Sequence, residues 1–137
     1  MDKKAPSGNP SAARANPLPG CPMAAAFAAV GGKWKLTLLY WLAHGECHFA
    51  GLRRRAAPIT AKVLAQQLRE LEADGIVDRI ATGAAPARVI YQLSAYGRTL
   101  LPIIEAVRLW GEDHLRRAHA VPPASAAMAC GTAIGAE

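Results

Sequence analysis

Basic and amide side chains are concentrated between residues 53 and 69. Five residues in this segment are basic and none is acidic, whereas acidic side chains follow at Glu70, Glu72, Asp74 and Asp78. Guanidinium, ammonium and amide groups donate hydrogen bonds to phosphate oxygens and to base edges, so the segment could bind a nucleic acid. A helix is stabilised by acids at its start and bases at its end. The reverse order found here costs local stability and therefore indicates a function.

The second half of this segment is predicted to be a helix. Thr60 is a good N-cap and Gly75 a typical stop, which places the helix between Thr60 and Asp74. Helical periodicity puts three leucines on one face: Leu64, Leu68 and Leu71. The opposite face carries polar or small side chains: Lys62, Gln66, Arg69 and Ala73. This face is the candidate ligand-binding surface, and ordinary solvated helix surface is the alternative.

The residue types on this face suit the major groove of DNA. Lys62, Gln66 and Arg69 can bond guanine edges, adenine edges or phosphates. Ala65 on the flank would allow close approach to the groove or touch a thymine methyl group. The candidate DNA-binding residues of this helix are therefore Thr60, Lys62, Ala65, Gln66 and Arg69.

A shorter helix is predicted before the turn, from Phe49 to Ala56, with Phe49 and Leu52 facing inward. A three-residue turn then leads to Thr60: Ala57, Pro58 and Ile59. Three consecutive arginines near the end of the short helix are predicted to face outward: Arg53, Arg54 and Arg55. They could contact the phosphate backbone of DNA, or they could form a solvated face.

Two strands are predicted after the second helix, from Ile76 to Ile80 and from Ala87 to Leu93, joined by a loop. Helix, turn, capped helix and two strands with a loop are the element order of a winged helix-turn-helix. The candidate wing residues are Thr82, Gly83 and Arg88. Arg88 could reach the DNA backbone or the minor groove, or it could be only an exposed strand residue.

Three further helices are predicted around this unit. Pro22 after Cys21 starts a short first helix that Gly31 and Gly32 end, and a core helix follows from Lys33 to about Gly45. Ser94 can cap the last helix, which reaches about Arg117, and Pro102 indicates either a kink or a later start. Its long apolar stripe predicts a homodimer interface, which the first helix could join. The candidate interface residues are Ile103, Ile104, Val107 and Trp110.

Length and charge set the general class. The chain has 137 residues, which suits one hydrophobic core, and its formal charge of +6 with a pI near 9.7 suits a polyanionic partner or serves solubility alone. Residues 21–118 are predicted to form the domain, with disordered tails at 1–20 and 119–137.

No segment approaches the roughly 20 apolar residues of a membrane span, so no membrane partner is expected. Three scattered cysteines, Cys21, Cys47 and Cys130, indicate a reducing, cytoplasmic location.

A series of spaced residues runs in unbroken order from Cys21 to His114. It comprises Cys21-Pro22, Gly31-Gly32-Lys33-Trp34, Phe49, Leu52-Arg53-Arg54, Ile59-Thr60, Leu64, Gln67-Leu68-Arg69-Glu70-Leu71-Glu72, Asp74-Gly75, Arg79, Pro86, Arg88-Val89, Tyr91-Gln92-Leu93-Ser94, Gly97 and Trp110. The series resembles the HxlR family of bacterial regulators, which is distantly similar to the MarR regulators. Gly51, Cys47-His48 and the position of Pro58 depart from the family pattern.

The resemblance implies a fold and a function. The expected fold is mainly α with a small β-hairpin wing (α+β), a dimeric winged helix-turn-helix. The expected function is that of a homodimeric, sequence-specific DNA-binding transcriptional regulator. It would act as repressor or activator on double-stranded DNA that carries an inverted-repeat operator.

Cys21 matches the position of a cysteine that senses oxidants, quinones or aldehydes in several HxlR-like regulators. A thiol at a helix N-terminus, with Lys33 and Lys35 near it, would have its reactive thiolate favoured. The resemblance therefore implies a small-molecule electrophile or oxidant as a second partner. The alternative is a small residue that packs at the helix cap. Cys47 is predicted to be a packed thiol.

Other functional classes fit the sequence less well. His44, Cys47 and His48 have chance spacing and no evident fourth ligand, so neither a metal site nor a cofactor is predicted. There is no phosphate loop, nucleophile elbow or paired acid and histidine, so no enzyme is predicted. A winged helix used for protein or RNA contact stays as the alternative, although it would not need Lys62, Gln66 and Arg69 on one face. Steep salt dependence of binding would distinguish DNA from an apolar protein contact.

Overall fold

The computed structural model describes residues 18, 20–83 and 88–119. Within them, five α-helices and a three-stranded antiparallel sheet follow one another along the chain. The helices are α1 Pro22–Val30, α2 Lys35–Leu42, α3 Phe49–Arg55, α4 Ala61–Ala73 and α5 Leu101–His119. The strands are β1 Cys47–His48, β2 Val77–Ala81 and β3 Val89–Leu93. The fold is mainly α with a small sheet, as the sequence predicts.

The first two helices begin and end close to the predicted residues. Pro22 occupies the first turn of α1, where its missing N–H costs no hydrogen bond, and the non-helical Cys21 precedes it. Gly31 ends α1. The next helix, α2, begins at Lys35 rather than near Lys33, because Trp34 is its N-cap. Four apolar residues of α2 are buried, which confirms it as the core helix: Leu38, Leu39, Trp41 and Leu42.

The sheet contains a strand that the sequence analysis did not predict. The β1 residues Cys47 and His48 pair antiparallel with Tyr91 and Ile90 of β3, which places β3 in the centre of the order β1-β3-β2. A two-residue strand is too short to show the alternation by which strands are recognised. On the other side of β3, Val77 of β2 pairs with Leu93. The predicted loop runs from Ala81 to Pro86, and its residues 84–86, together with Ala87, lie outside the described ones.

The hydrophobic core lies under α4. Leu64, Leu68 and Leu71 of α4 are fully or almost fully buried, as are Leu38 of α2 and Leu52 of α3. Each such leucine contributes about 1.5–3 kcal/mol through removal of its apolar surface from water. The predicted inward face of α4 is therefore confirmed, and it fixes which face of the helix is left to solvent.

The junction after β3 depends on two small residues. The Ser94 hydroxyl donates to the carbonyl oxygen of Gly75 at 2.6 Å and accepts from the N–H of Gly97 at 2.9 Å. A Cβ atom on Gly97 would lie 2.1 Å from the carbonyl oxygen of Ile76, so only glycine fits there. Ser94 thus caps a 3-10 turn, Gly97–Leu100, rather than the α-helix. The later of the two predicted helix starts is correct, because Pro102 falls in the first turn of α5.

The chain divides into two units after Arg98, and α5 belongs to the second unit. On the surface of this helix, Arg108 forms ion pairs with Glu105 at 2.6 Å and with Glu112. The Trp110 ring stacks on the ring of His114, with 4.9 Å between centroids. No helix in the described ranges is both long enough and apolar enough to cross a membrane. The predicted tails lie outside those ranges, apart from Leu18, Gly20 and His119.

Candidate nucleic-acid interface

The helix α4 is anchored by the residue that precedes it and by its buried face. Thr60 precedes the helix, and its hydroxyl accepts a hydrogen bond from the N–H of Val63 at 3.1 Å, which confirms the predicted N-cap. At the other end Gly75 has φ +76, a conformation that glycine adopts without strain. These two ends fix the length of the helix, and the buried Leu64, Leu68 and Leu71 fix its rotation. The face opposite the buried leucines is consequently presented to solvent.

That face carries the side chains that the sequence singled out. Lys62, Gln66 and Arg69 are exposed, and Ala65 on the flank is half-buried. Arg69 Nη2 donates to Gln66 Oε1 at 2.7 Å, so the guanidinium and the amide lie side by side. Together they offer hydrogen-bond donors and acceptors on one surface, which is the chemistry that base edges require.

Gln66 is also bonded to an acidic residue that the sequence analysis left outside the site. Its Nε2 donates to Glu70 Oε2 at 2.8 Å, and the other oxygen of Glu70 lies 2.7 Å from Nζ of Lys35 on α2. The contact between Gln66 and Glu70 could have been predicted from the sequence, since Glu70 stands four residues after Gln66 on one helix. The contact between Glu70 and Lys35 joins residues 35 positions apart and is visible only in the fold.

The three arginines of α3 have different surroundings. Arg53 and Arg54 are exposed and line an open groove of about 470 Å³ together with Phe49 and the turn that contains Pro58. The expectation that Arg55 also faces outward is wrong, because this residue is half-buried. Its guanidinium, attracted by a ring face, lies 5.7 Å from the ring centroid of Trp41.

Cys47 is the second partner of Arg55. The thiol is buried, as predicted for a packed cysteine, and Arg55 Nη1 donates to its sulfur at 3.0 Å. Burial raises the pKa of Cys47, and the positive charge of Arg55 opposes this effect without cancelling it. Arg55 therefore connects the end of α3 to β1 and α2.

The root of the predicted wing is held by one backbone hydrogen bond and one hydrogen bond to a side chain. The N–H of Thr82 donates to the carbonyl oxygen of Arg88 at 2.8 Å, and the N–H of Arg88 donates to Oγ1 of Thr82 at 3.2 Å. Arg88 and Gly83 are exposed. These contacts fix the Arg88 backbone at the end of the hairpin while its side chain extends into solvent.

Cys21 lies half-buried immediately before α1. The two lysines expected to favour its thiolate both have other contacts. Lys35 is buried in its ion pair with Glu70, and Lys33 lies 5.1 Å from the ring centroid of Trp34. Both lysines are thus engaged elsewhere, and Cys21 lies at the N-terminal end of α1.

Large apolar side chains are exposed on α1 and on α5, each considered by itself. Met23 and Phe27 are exposed on α1, with Phe27 at 65%. On α5, three of the four predicted interface residues are exposed: Ile103, Val107 and Trp110. Ile104 differs from these three residues, since it is only 6% exposed.

The histidine and cysteine side chains that were considered as metal ligands have structural contacts instead. No group of three His, Cys, Asp or Glu side chains is arranged for a metal ion in the part of the chain that the structure describes. His44 Nδ1 lies 2.9 Å from the carbonyl oxygen of Tyr40, and Cys47 contacts Arg55. These side chains have structural contacts within the helix and the sheet.

Comparison with known proteins identifies the family of this chain. The HxlR-like helix-turn-helix family matches residues 29–119, which is most of the described chain. The chain belongs to this family. The HTH-type transcriptional regulator YtcD of Bacillus subtilis (strain 168) is 46% identical to it over 90 residues, a match that covers 66% of this chain and 71% of YtcD. This HxlR-like chain is accordingly a transcriptional regulator of helix-turn-helix type, and it is not an enzyme.

Solved structures agree with the family. The structure of the ytcD regulator matches the HxlR-like chain with a TM-score of 0.67 at 43% identity, covering 70% of this chain and 98% of that one. The redox regulator HypR in its oxidized form matches with a TM-score of 0.66 at 44% identity, covering 68% and 96%. A regulator of the MarR family from Enterococcus faecalis V583 matches with a TM-score of 0.59 at 36% identity, covering 67% and 84%. The predicted winged helix-turn-helix fold is confirmed.

Proposed function

We propose that this HxlR-like regulator binds double-stranded DNA in a sequence-specific manner by inserting α4 into the major groove. The observation that carries the proposal is the exposed face of α4, where Lys62, Gln66 and Arg69 stand opposite the buried leucines. Arginine and lysine suit guanine edges or phosphates, and glutamine suits adenine. Thr60 and Ala65 complete the surface, since they are small and permit close approach.

The neighbouring basic side chains would position the protein on the phosphate backbone. Arg53 and Arg54 are exposed in the groove beside the turn that leads into α4, which suits contact with phosphates flanking the read bases. Arg88 at the wing would reach the backbone or the minor groove. Arg55 is removed from this set, because its guanidinium is engaged with Cys47 and Trp41.

The regulator would act as a homodimer. Large apolar side chains are exposed on α5 and on α1, and their contact with water is unfavourable. A second copy of the chain would cover them. A two-fold dimer presents two copies of α4, so the operator would be an inverted repeat with half-sites about one helical turn apart. Binding of this kind can repress or activate transcription, according to the position of the operator.

Cys21 would link DNA binding to an oxidant or electrophile. It is the partly accessible one of the two described cysteines, and it stands at the N-terminal end of α1, where an oxidant can reach its sulfur. The similar regulator HypR is named a redox regulator and was solved in oxidized and reduced forms. Reaction at Cys21, beside an exposed face of α1, would then change how two copies pair.

Selection of bound fragments from the host genome, with and without diamide, would identify the operator. On such a fragment the variant with Lys62, Gln66 and Arg69 replaced by alanine should bind roughly three orders of magnitude more weakly, since each lost base contact is worth about 1–3 kcal/mol. The wild-type affinity should fall steeply with salt. Unchanged affinity of the triple variant, with circular dichroism confirming its fold, would refute the proposal. Failure to select any DNA fragment would point instead to the protein-contact alternative.

A further inference from the structure

A buried charge lies behind the proposed reading face. Lys35 on α2 is only 5% exposed, and its ammonium lies 2.7 Å from Oε1 of Glu70 on α4. A buried ammonium needs a counter-charge, because desolvation otherwise makes the charged state costly. The ion pair therefore holds one oxygen of the Glu70 carboxylate in a fixed place relative to α2.

The second oxygen of Glu70 determines the orientation of Gln66. A carboxylate only accepts hydrogen bonds, so the Gln66 atom that lies 2.8 Å from Glu70 Oε2 must be the NH2 group. A guanidinium only donates, so the Gln66 atom that lies 2.7 Å from Arg69 Nη2 must be the oxygen. The two neighbours demand the same orientation of the amide. Rotating it by half a turn would set two acceptors against each other at Glu70 and two donors at Arg69.

We infer that Glu70, anchored by Lys35, is a positioning residue for DNA recognition that holds the Gln66 amide in one orientation and thereby sets its base preference. The inference rests on the proposed reading face. In this orientation Gln66 keeps one N–H and one oxygen lone pair for a ligand, which together match the N7 acceptor and N6 donor of adenine. Glu70 itself need not touch DNA.

An orienting role for Glu70 explains why an acidic residue stands beside a DNA-binding face. A carboxylate near phosphates would by itself weaken DNA binding through like-charge repulsion. Here one oxygen faces the buried Lys35 and the other faces Gln66, so the charge serves to order neighbouring side chains. Ordering them before binding lowers the entropy lost when the complex forms.

The test uses Glu70→Gln in the full-length chain on an operator selected by the wild type. The new amide would direct its oxygen to Lys35 and its NH2 group to Gln66, which removes the acceptor that oriented Gln66. We expect roughly tenfold poorer discrimination at the base pair where Gln66→Ala loses selectivity, measured by competition with every single-base variant of the operator. In the Gln66→Ala background, Glu70→Gln should have no further effect on selectivity.

A matched control separates orientation from charge. Glu72→Gln removes an exposed carboxylate from the same helix and should leave base preference unchanged. If Glu70→Gln fails to fold because Lys35 loses its counter-charge, the pair Lys35→Met with Glu70→Gln removes both charges and should show the same altered preference. Wild-type base preference in a folded Glu70 variant, or an equal change in the Gln66→Ala background, would overturn the inference. Failure of the proposed function looks different, since Gln66→Ala and Arg69→Ala would then bind like the wild type.

Discussion

The exposed faces of α4 and α5 differ in chemical character. On α4, polar side chains bond one another before any ligand arrives, as the contacts between Arg69, Gln66 and Glu70 show. On α5, large apolar side chains reach solvent, with Trp110 68% exposed. A polar surface that is already ordered suits a hydrated, charged groove, whereas an apolar surface is stabilised by burial against another apolar surface. The difference indicates that the two faces have different partners.

The apolar face offers the largest test of this contrast. Replacing Val107 and Trp110 by aspartate should convert the dimer to a monomer, because two charges would enter the apolar interface. Operator affinity should then fall by roughly a hundredfold or more, since one half-site is bound without its neighbour. Sedimentation velocity and gel-shift titration measure the two effects.

Arg117→Ala on the same helix is the control for this experiment, because its side chain is exposed and lies in an ion pair with Asp113. It should leave the dimer intact. A double aspartate variant that still sediments as a soluble dimer would show that α5 does not form the interface.

The two described cysteines give the second test. Cys21 is half-buried at the start of α1, whereas Cys47 is buried and its pKa is raised by that burial. Because the thiolate is the reactive form, iodoacetamide at neutral pH should modify Cys21 roughly tenfold faster or more than Cys47. Peptide mapping of the labelled protein reads both rates.

The same cysteines differ in their expected role. Cys21→Ser should remove the diamide response of operator binding, while Cys47→Ala should retain it. A response that persists in Cys21→Ser would exclude this cysteine as the sensor. Faster labelling of Cys47 than of Cys21 would reverse the assignment of the two thiols.

The arginines of α3 give the smallest expected effects. Arg54→Ala should weaken operator binding and reduce the slope of log affinity against log salt by about 0.9, the value for one lost phosphate contact. Arg55→Ala should leave this slope unchanged and instead destabilise the fold by about 1 kcal/mol, since its contact with the Trp41 ring is lost. Salt titrations and thermal unfolding distinguish the two residues. Equal salt slopes in both variants would remove the distinction between them.

Local pattern in the sequence predicted α4 well. Thr60 as the cap and the buried Leu64, Leu68 and Leu71 follow from capping chemistry and helical periodicity, which act within a few residues. The exposure of Lys62, Gln66 and Arg69 follows from the same wheel, and their contact with DNA stays a prediction.

The features that the sequence did not reveal depend on distant residues. The strand β1 exists because Cys47 and His48 pair with β3, more than 40 positions later, and two residues carry no periodic signal of their own. Arg55 turns inward because Cys47 and Trp41 lie beside it in the fold. Lys35 was expected near Cys21, whereas in the fold it is buried in an ion pair with Glu70. Tertiary contacts of this kind decide side-chain direction, which helix periodicity alone cannot.

A tethered cleavage reagent tests the central claim most directly. An iron chelate attached to Ala65→Cys, in a chain whose own cysteines Cys21, Cys47 and Cys130 are replaced, would cut DNA close to the exposed face of α4. We expect cuts within the major groove of each half-site of the selected operator, and none from the same tether at Met23→Cys on α1. Uncut operator that is still bound, or cuts directed only from Met23, would contradict the assignment of α4 as the reading helix.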